Sequence, residues 1–254
     1  MEEPCTGLDL HCRGLTDDDM QTVGHQLKIN RTIERLNLYS NQIGHVGAKY
    51  IADGLKENQT LTHLYMGQNQ IGNRGAKHMA ETLTVNQVNI GGKSLGEALL
   101  VNQVCLFFNV TTITLCVLFL NSNDIGDNGV EAIGNSLKVH KKLWHLVLSN
   151  NKIGDLGAQH LAEGLKVNKS LLELSLYDNP IGDIGAQYLA DALKANETLK
   201  YLSLSGTQIG DNGIQHLALA LRDNKTLDRV FLPKNISEDI RNNLVKQDHR
   251  LLFV

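Results

Sequence analysis

Aromatic side chains make up only 5% of the 254 residues, and there are only 3 prolines. Four cysteines (Cys5, Cys12, Cys105, Cys116) form no CxxC pair and no paired framework, which excludes a small secreted scaffold held by disulfides. Runs of lysine or arginine are missing and the formal net charge is −3. That argues against a nucleic-acid partner or an acidic membrane surface held by counterion release. The first residues, Met-Glu-Glu-Pro, lack the apolar stretch of a secretory signal, so the expected setting is reducing and cytoplasmic. A wholly disordered chain is also excluded, because hydrophobic residues reach 42% against 20% charged.

A membrane span is missing as well. The one long apolar run, residues 104–120, is shorter than the ~20 residues a helical crossing needs, and it contains Asn109 and three threonines. Two adjacent buried strands fit it better, and it is the window of the chain most prone to β-aggregation.

What the sequence has in excess is Leu (41) and Asn (24), a bias that points to a repeat. The chain realigns on itself every 28 residues. Blocks open with LxxLxLxxN at Ile33, Leu61, Leu115, Leu143, Leu171, Leu199 and Leu227, then continue as IG, two residues, G and an apolar tail of helical period. Leu174 and Leu176 alternate as an inward-facing strand, leaving Glu173, Ser175 and Tyr177 outward. Asn41, Asn69, Asn123, Asn151 and Asn179, with Thr207 once in their place, are expected to stack as a ladder serving the turn's buried backbone. Asp127, Asp155, Asp183 and Asp211 are expected to cap their own helices, and Gly75, Gly129, Gly157, Gly185 and Gly213 to permit close helix–strand contact. Ala186, Leu189, Ala190 and Leu193 give the helix one apolar stripe.

Such a unit cannot bury its apolar face alone, so neighbours must stack. The expected architecture is an α/β solenoid, a horseshoe with a parallel sheet on the concave face and helices on the convex face. Four regions are expected: N-terminal repeats over 5–88, an irregular repeat over 89–114, regular repeats over 115–226, and a terminal cap over 227–254. Residues 89–114 carry helix-like and strand-like halves in the wrong order, whether by a local defect or a rearrangement, and are expected to be the weak joint between two better-packed arrays.

The LxxLxLxxN strand followed by IGxxG resembles the leucine-rich repeat pattern, in the 28-residue form of the ribonuclease-inhibitor-like class. The repeat regions of NOD-like receptors are the nearest in flavour. That resemblance implies an innate-immune-type regulator, a small-GTPase activator or a ribonuclease-inhibitor-like inhibitor. Against the last stand four cysteines and a single repeat type; the acidic tail associated with the GTPase-activating family is absent.

Candidates for chemistry reduce to repeat positions. Gly91-Gly92-Lys93-Ser94 lacks a phosphate loop's first glycine, because Gln87 stands there, so no nucleotide site is expected. His78, His160 and His216 share a helix column with Tyr50 and Tyr188, but none falls in adjacent blocks, so they cannot share a metal's ligand sphere. No GxSxG or papain-like context occurs. Seven N-x-S/T sequons, at Asn30, Asn58, Asn109, Asn168, Asn196, Asn224 and Asn235, mostly recur at one repeat position and are expected to be its by-product. No catalytic residue, cofactor or metal is expected.

What remains is a monomeric, non-catalytic module that binds a protein partner on its concave face. Strands ~4.8 Å apart turn one residue per repeat into a continuous column. The outward residues expected to anchor a partner are Tyr39, His63, Tyr65, Phe119, Trp144, His145, Glu173, Tyr177, Asp178, Tyr201 and Phe231.

Overall fold

Short strands alternate with helices through the chain, as the 28-residue period requires. The computed structural model describes residues 6–91 and 114–254. Among these, nine strands appear: β1 Gly7–Asp9, β2 Arg35–Asn37, β3 His63–Tyr65, β4 Val117–Phe119, β5 His145–Val147, β6 Glu173–Ser175, β7 Tyr201–Ser203, β8 Arg229–Leu232 and β9 Leu251–Phe253. The helices are α1 Asp17–Ile29, α2 His45–Leu55, α3 Gly72–Gly91, α4 Asp127–Leu137, α5 Asp155–Val167, α6 Asp183–Ala195, α7 Asp211–Asp223 and α8 Glu238–Gln247. One open sheet takes the strands in chain order, every neighbouring pair parallel. Helices packed side by side stand ~8–10 Å apart and strands ~4.8 Å. A stack with both in one layer each must therefore bend, with the sheet inside.

The leucine positions fill the space between sheet and helices. Leu171, Leu174 and Leu176 from the strand segment, Ile181 from the turn, and Ala186, Leu189 and Leu193 from α6 are all buried. Each fully buried Leu or Ile contributes roughly 1.5–3 kcal/mol, so the repeats are held by the faces they bury against one another.

The asparagine ladder forms as expected. Asn151 donates from Nδ2 to Leu120 O and Leu148 O, both at 3.0 Å, and accepts at Oδ1 from Asn123 N and Ile125 N, also at 3.0 Å. Each rung thus ties its own turn to the preceding one. Thr207 makes only one such bond, to Leu204 O at 2.6 Å.

Four of the sequon asparagines form a second buried ladder, whereas Asn30 is half-buried and Asn235 is exposed. Asn196 donates to Leu165 O at 2.7 Å, closing the end of the preceding helix, and accepts from Leu199 N at 2.8 Å. Asn58, Asn168 and Asn224 repeat this arrangement. All four are buried, as a position fixed by the repeat rather than by glycosylation requires. Asn109 lies outside the described residues.

The aspartates act differently from the sequence expectation. The N-caps are Gly126, Gly154, Gly182 and Gly210, and each Asp is the first helical residue. Its carboxylate reaches forward to the next repeat: Asp127 Oδ1 accepts from Gly154 N at 2.7 Å and Gly157 N at 3.0 Å. Asp155 and Asp183 do the same for α6 and α7, and Asp17 for α2. Each acid therefore caps its neighbour's helix. Gly157, Gly185 and Gly213 need their small size for this contact and for the turn isoleucine four residues back: a Cβ on Gly157 would stand 2.5 Å from Asp127 Oδ1 and 2.7 Å from Ile153 Cγ2.

Residues 66–116 separate β3 from β4, yet the two pair directly, His63 opposite Val117 and Tyr65 opposite Phe119. Asn73 Oδ1 accepts from Gly126 N at 2.6 Å, continuing the capping bond across this junction. The proposed strand and helix halves of 92–113, and the Gly92-Lys93-Ser94 turn, lie outside the described residues.

The terminal cap contains an element the repeat pattern does not announce. After α8 the chain returns as β9, parallel to β8. Arg250 donates to Asn224 O at 2.7 Å and Leu221 O at 2.5 Å, the carbonyls a further ladder asparagine would serve. Asp248 holds the guanidinium in place.

Candidate protein-interaction surface

Strand register decides which outward side chains meet. The first column runs Arg35, His63, Val117, His145, Glu173, Tyr201, Arg229 and the second Asn37, Tyr65, Phe119, Val147, Ser175, Ser203, Phe231, each residue opposite the next. Both columns pass through the β3–β4 junction without interruption.

Five of the expected anchors join into one string of rings. His63 and Tyr65 lie 6.3 Å apart between centroids; Tyr65 meets Phe119 edge-on at 4.9 Å and 89°. Phe119 meets His145 at 4.9 Å and 69°, and Trp144 tilts against His145 at 5.4 Å. Edge-to-face pairs at these distances are worth ~0.5–1.5 kcal/mol beyond their area, so the string is a fixed surface. Val117, flanked by His63 and His145 in its column, is only 2% exposed. Trp144 precedes the outward column and is half-buried at the strand's flank.

Glu173 continues the string electrostatically, its Oε2 3.4 Å from His145 Nε2. Burial lowers the pKa of His145 below the ordinary histidine value, against the pull of Glu173. Burial and the nearby Arg35 charge lower that of His63 too, with Glu34 opposing. Both rings are therefore mainly neutral near pH 7.

Beyond Glu173 the surface opens into a hollow of about 380 Å³ bordered by His145, Glu173, Tyr201 and Phe231, with Ser175 and Ser203 on its floor. It exists because two short residues stand side by side in a column whose neighbours are larger. His145, Glu173, Tyr201 and Phe231 are among the residues expected to anchor a partner, whereas the two outward serines are not. The signal for them was two adjacent serines in the second column, between Val147 and Phe231.

The remaining anchors are apart from both features. Tyr39 is half-buried at the exit of β2. Tyr177 and Asp178 follow β6 at the exposed rim; a hydrogen bond to the Asp178 carboxylate raises the Tyr177 pKa above the usual phenol value. Asp178 belongs to a rim of left-handed residues that recurs at Ser40, Gln68, Ser122 and Asn150. The next in line, Gly206 (φ 68°), has no room for a side chain, since a Cβ would meet Asp178 Oδ1 at 2.0 Å.

Among the described residues no group of three or more His, Cys, Asp or Glu is placed to hold a metal ion, and no helix is long and apolar enough to cross a membrane. Burial raises the pKa of the Cys116 thiol, the opposite of what a nucleophilic cysteine needs.

No curated protein matches the chain. Among solved structures it is similar to the actin-binding site 2 of leiomodin-1, at 23% identity over 52% of this chain and 80% of that one, TM-score 0.46. It is also similar to the tropomodulin C-terminal domain of Caenorhabditis elegans, at 17% identity over 53% and 82%, TM-score 0.46. Six stretches, residues 30–52, 57–80, 113–134, 139–162, 167–190 and 195–218, match the leucine rich repeat. These cover more than half of the sequence, and the chain belongs to the leucine-rich repeat family.

Proposed function

We propose that the chain is a non-catalytic recognition module that binds a protein partner on the concave sheet face. One observation carries this reading: the rings of His63, Tyr65, Phe119 and His145 interlock across β3, β4 and β5 on an outward surface. An outward aromatic string next to a charged residue has the composition of an interface centre. It is also preorganised, which lowers the ordering cost of association. Within the same reading the module is cytoplasmic and monomeric, and its repeats are of the ribonuclease-inhibitor-like kind found in NOD-like receptors.

The test is capture from a cell extract with the intact chain as bait, followed by cross-linking and mass spectrometry. Links from the captured protein to the outward residues of β3–β8 support the reading. Links confined to the outer surface of α4–α7 overturn it.

A further inference from the structure

We propose that the hollow beside Glu173 receives an arginine side chain of the partner, an inference that rests on the concave-face reading and gives the partner its chemistry. Shape, charge and wall composition point the same way.

The floor of Ser175 and Ser203 leaves an open hollow of about 380 Å³ on the sheet face. Ser175 Oγ is already held by Ser149 Oγ at 2.7 Å, so this side of the floor is fixed. The walls are two rings, Tyr201 from β7 and Phe231 from β8, placed on diagonal positions of adjacent strands. The end is a carboxylate. Among the outward residues of the two columns from β2 to β8, Glu173 is the one carboxylate. Its Oε2 faces His145; no hydrogen bond to Oε1 occurs among the described residues. His145 is mainly neutral near pH 7, because burial lowers its pKa, and so it leaves the charge of Glu173 largely uncancelled. Arg229, beyond Tyr201 in the same column, makes no ion pair with it among the described residues.

A planar guanidinium meets all three demands at once: it stacks on ring faces, pairs with a carboxylate through two N–H groups, and carries full charge. A lysine ammonium carries the charge and can approach a ring face, but lacks the flat fork that stacks and pairs with a carboxylate through two parallel N–H groups. An acidic side chain is repelled. A neutral aromatic side chain would strip water from Glu173 without replacing it.

The experiment is an amide NMR titration of the full chain with Nα-acetyl-arginine amide, and in parallel with the lysine and glutamate equivalents. The arginine probe is expected to shift Glu173, Ser175, Tyr201, Ser203 and Phe231, the lysine probe to bind about threefold or more weakly, and the glutamate probe to leave these signals still. Glu173→Gln is expected to weaken the arginine probe about tenfold. Ser203→Leu, which keeps the carboxylate and fills the hollow, is expected to do the same. Arginine shifts elsewhere, no arginine shifts at all, or an affinity unchanged by either variant would overturn the assignment. A partner that docks on the helices defeats the proposed function and this inference together, even where the probe still finds the hollow; a partner on the sheet with a silent arginine titration defeats only this inference.

Discussion

Two ladders and one acid decide how a residue serves this fold. The asparagines were legible in the sequence because each also serves its own turn, Asn151 donating to Leu148 O three residues back as well as to Leu120 O in the preceding repeat. The aspartates were not, because Asp155 caps a helix whose N–H groups lie 27 and 30 residues further on, at Gly182 and Gly185. We expect Asp155→Ala to cost about 1–2 kcal/mol in urea unfolding, the range for a lost N-cap, and Asp155→Asn to cost less. His140 is the exception in the second ladder, accepting at Nδ1 from Leu143 N at 3.0 Å where other rungs use an amide. Burial, with a smaller contribution from Lys142, lowers its pKa to about 4. The unfolded chain takes up a proton near the ordinary value of about 6.5, while the folded chain resists until about 4, so stability falls with pH across that window. The loss from about pH 7 to about pH 5 is on the order of 2 kcal/mol. His140→Asn restores the amide, and denaturant midpoints at both pH values should show this part of the loss removed.

The repeating strand and helix were readable as elements because periods of 2 and 3.6 alternate inside a fixed length of 28 residues. The last strand was not. Leu251–Phe253 has three residues, no LxxLxL frame and no asparagine turn, and only its pairing with β8 defines it. Arg250 makes that return possible by taking the ladder's place at the end of α7. Removing it leaves the carbonyls of Leu221 and Asn224 without these donors. Arg250→Ala should cost roughly 1–3 kcal/mol and speed amide exchange in β8, β9 and the last turn of α7, with β5 and β6 little changed. The hydrogen bond from Arg250 holds the Asp248 carboxyl below its usual pKa. This contribution is present above the ordinary carboxylate range and is lost as acid protonates Asp248, so the exchange difference between wild type and variant should shrink in that range.

Across the whole molecule, stability is a sum of neighbouring interfaces, and binding depends on columns that run through them. Residues 89–114 were expected to be a weak joint, and most of that stretch lies outside the described residues. The strands on either side, β3 and β4, pair in register, so a leucine of β4 should matter as much as one far from it. Leu118→Ala and Leu174→Ala, both at buried positions, should each cost about 2–5 kcal/mol. The fold and the walls of the surface were legible because strand spacing converts sequence columns into spatial ones. The hollow was less so, because it is made by the absence of side-chain volume at Ser175 and Ser203. Recognition on the sheet face is tested most directly by calorimetric titration of the captured partner into Tyr177→Ala and Tyr201→Ala variants of the intact chain. The two tyrosines are 45% and 38% exposed, so their loss should leave the melting temperature almost unchanged. Each should weaken binding by about 1–3 kcal/mol, while Gln187→Ala and Gln215→Ala on the exposed helix surface leave it intact. Full affinity in both tyrosine variants, with binding lost through the glutamines, would contradict recognition by the sheet.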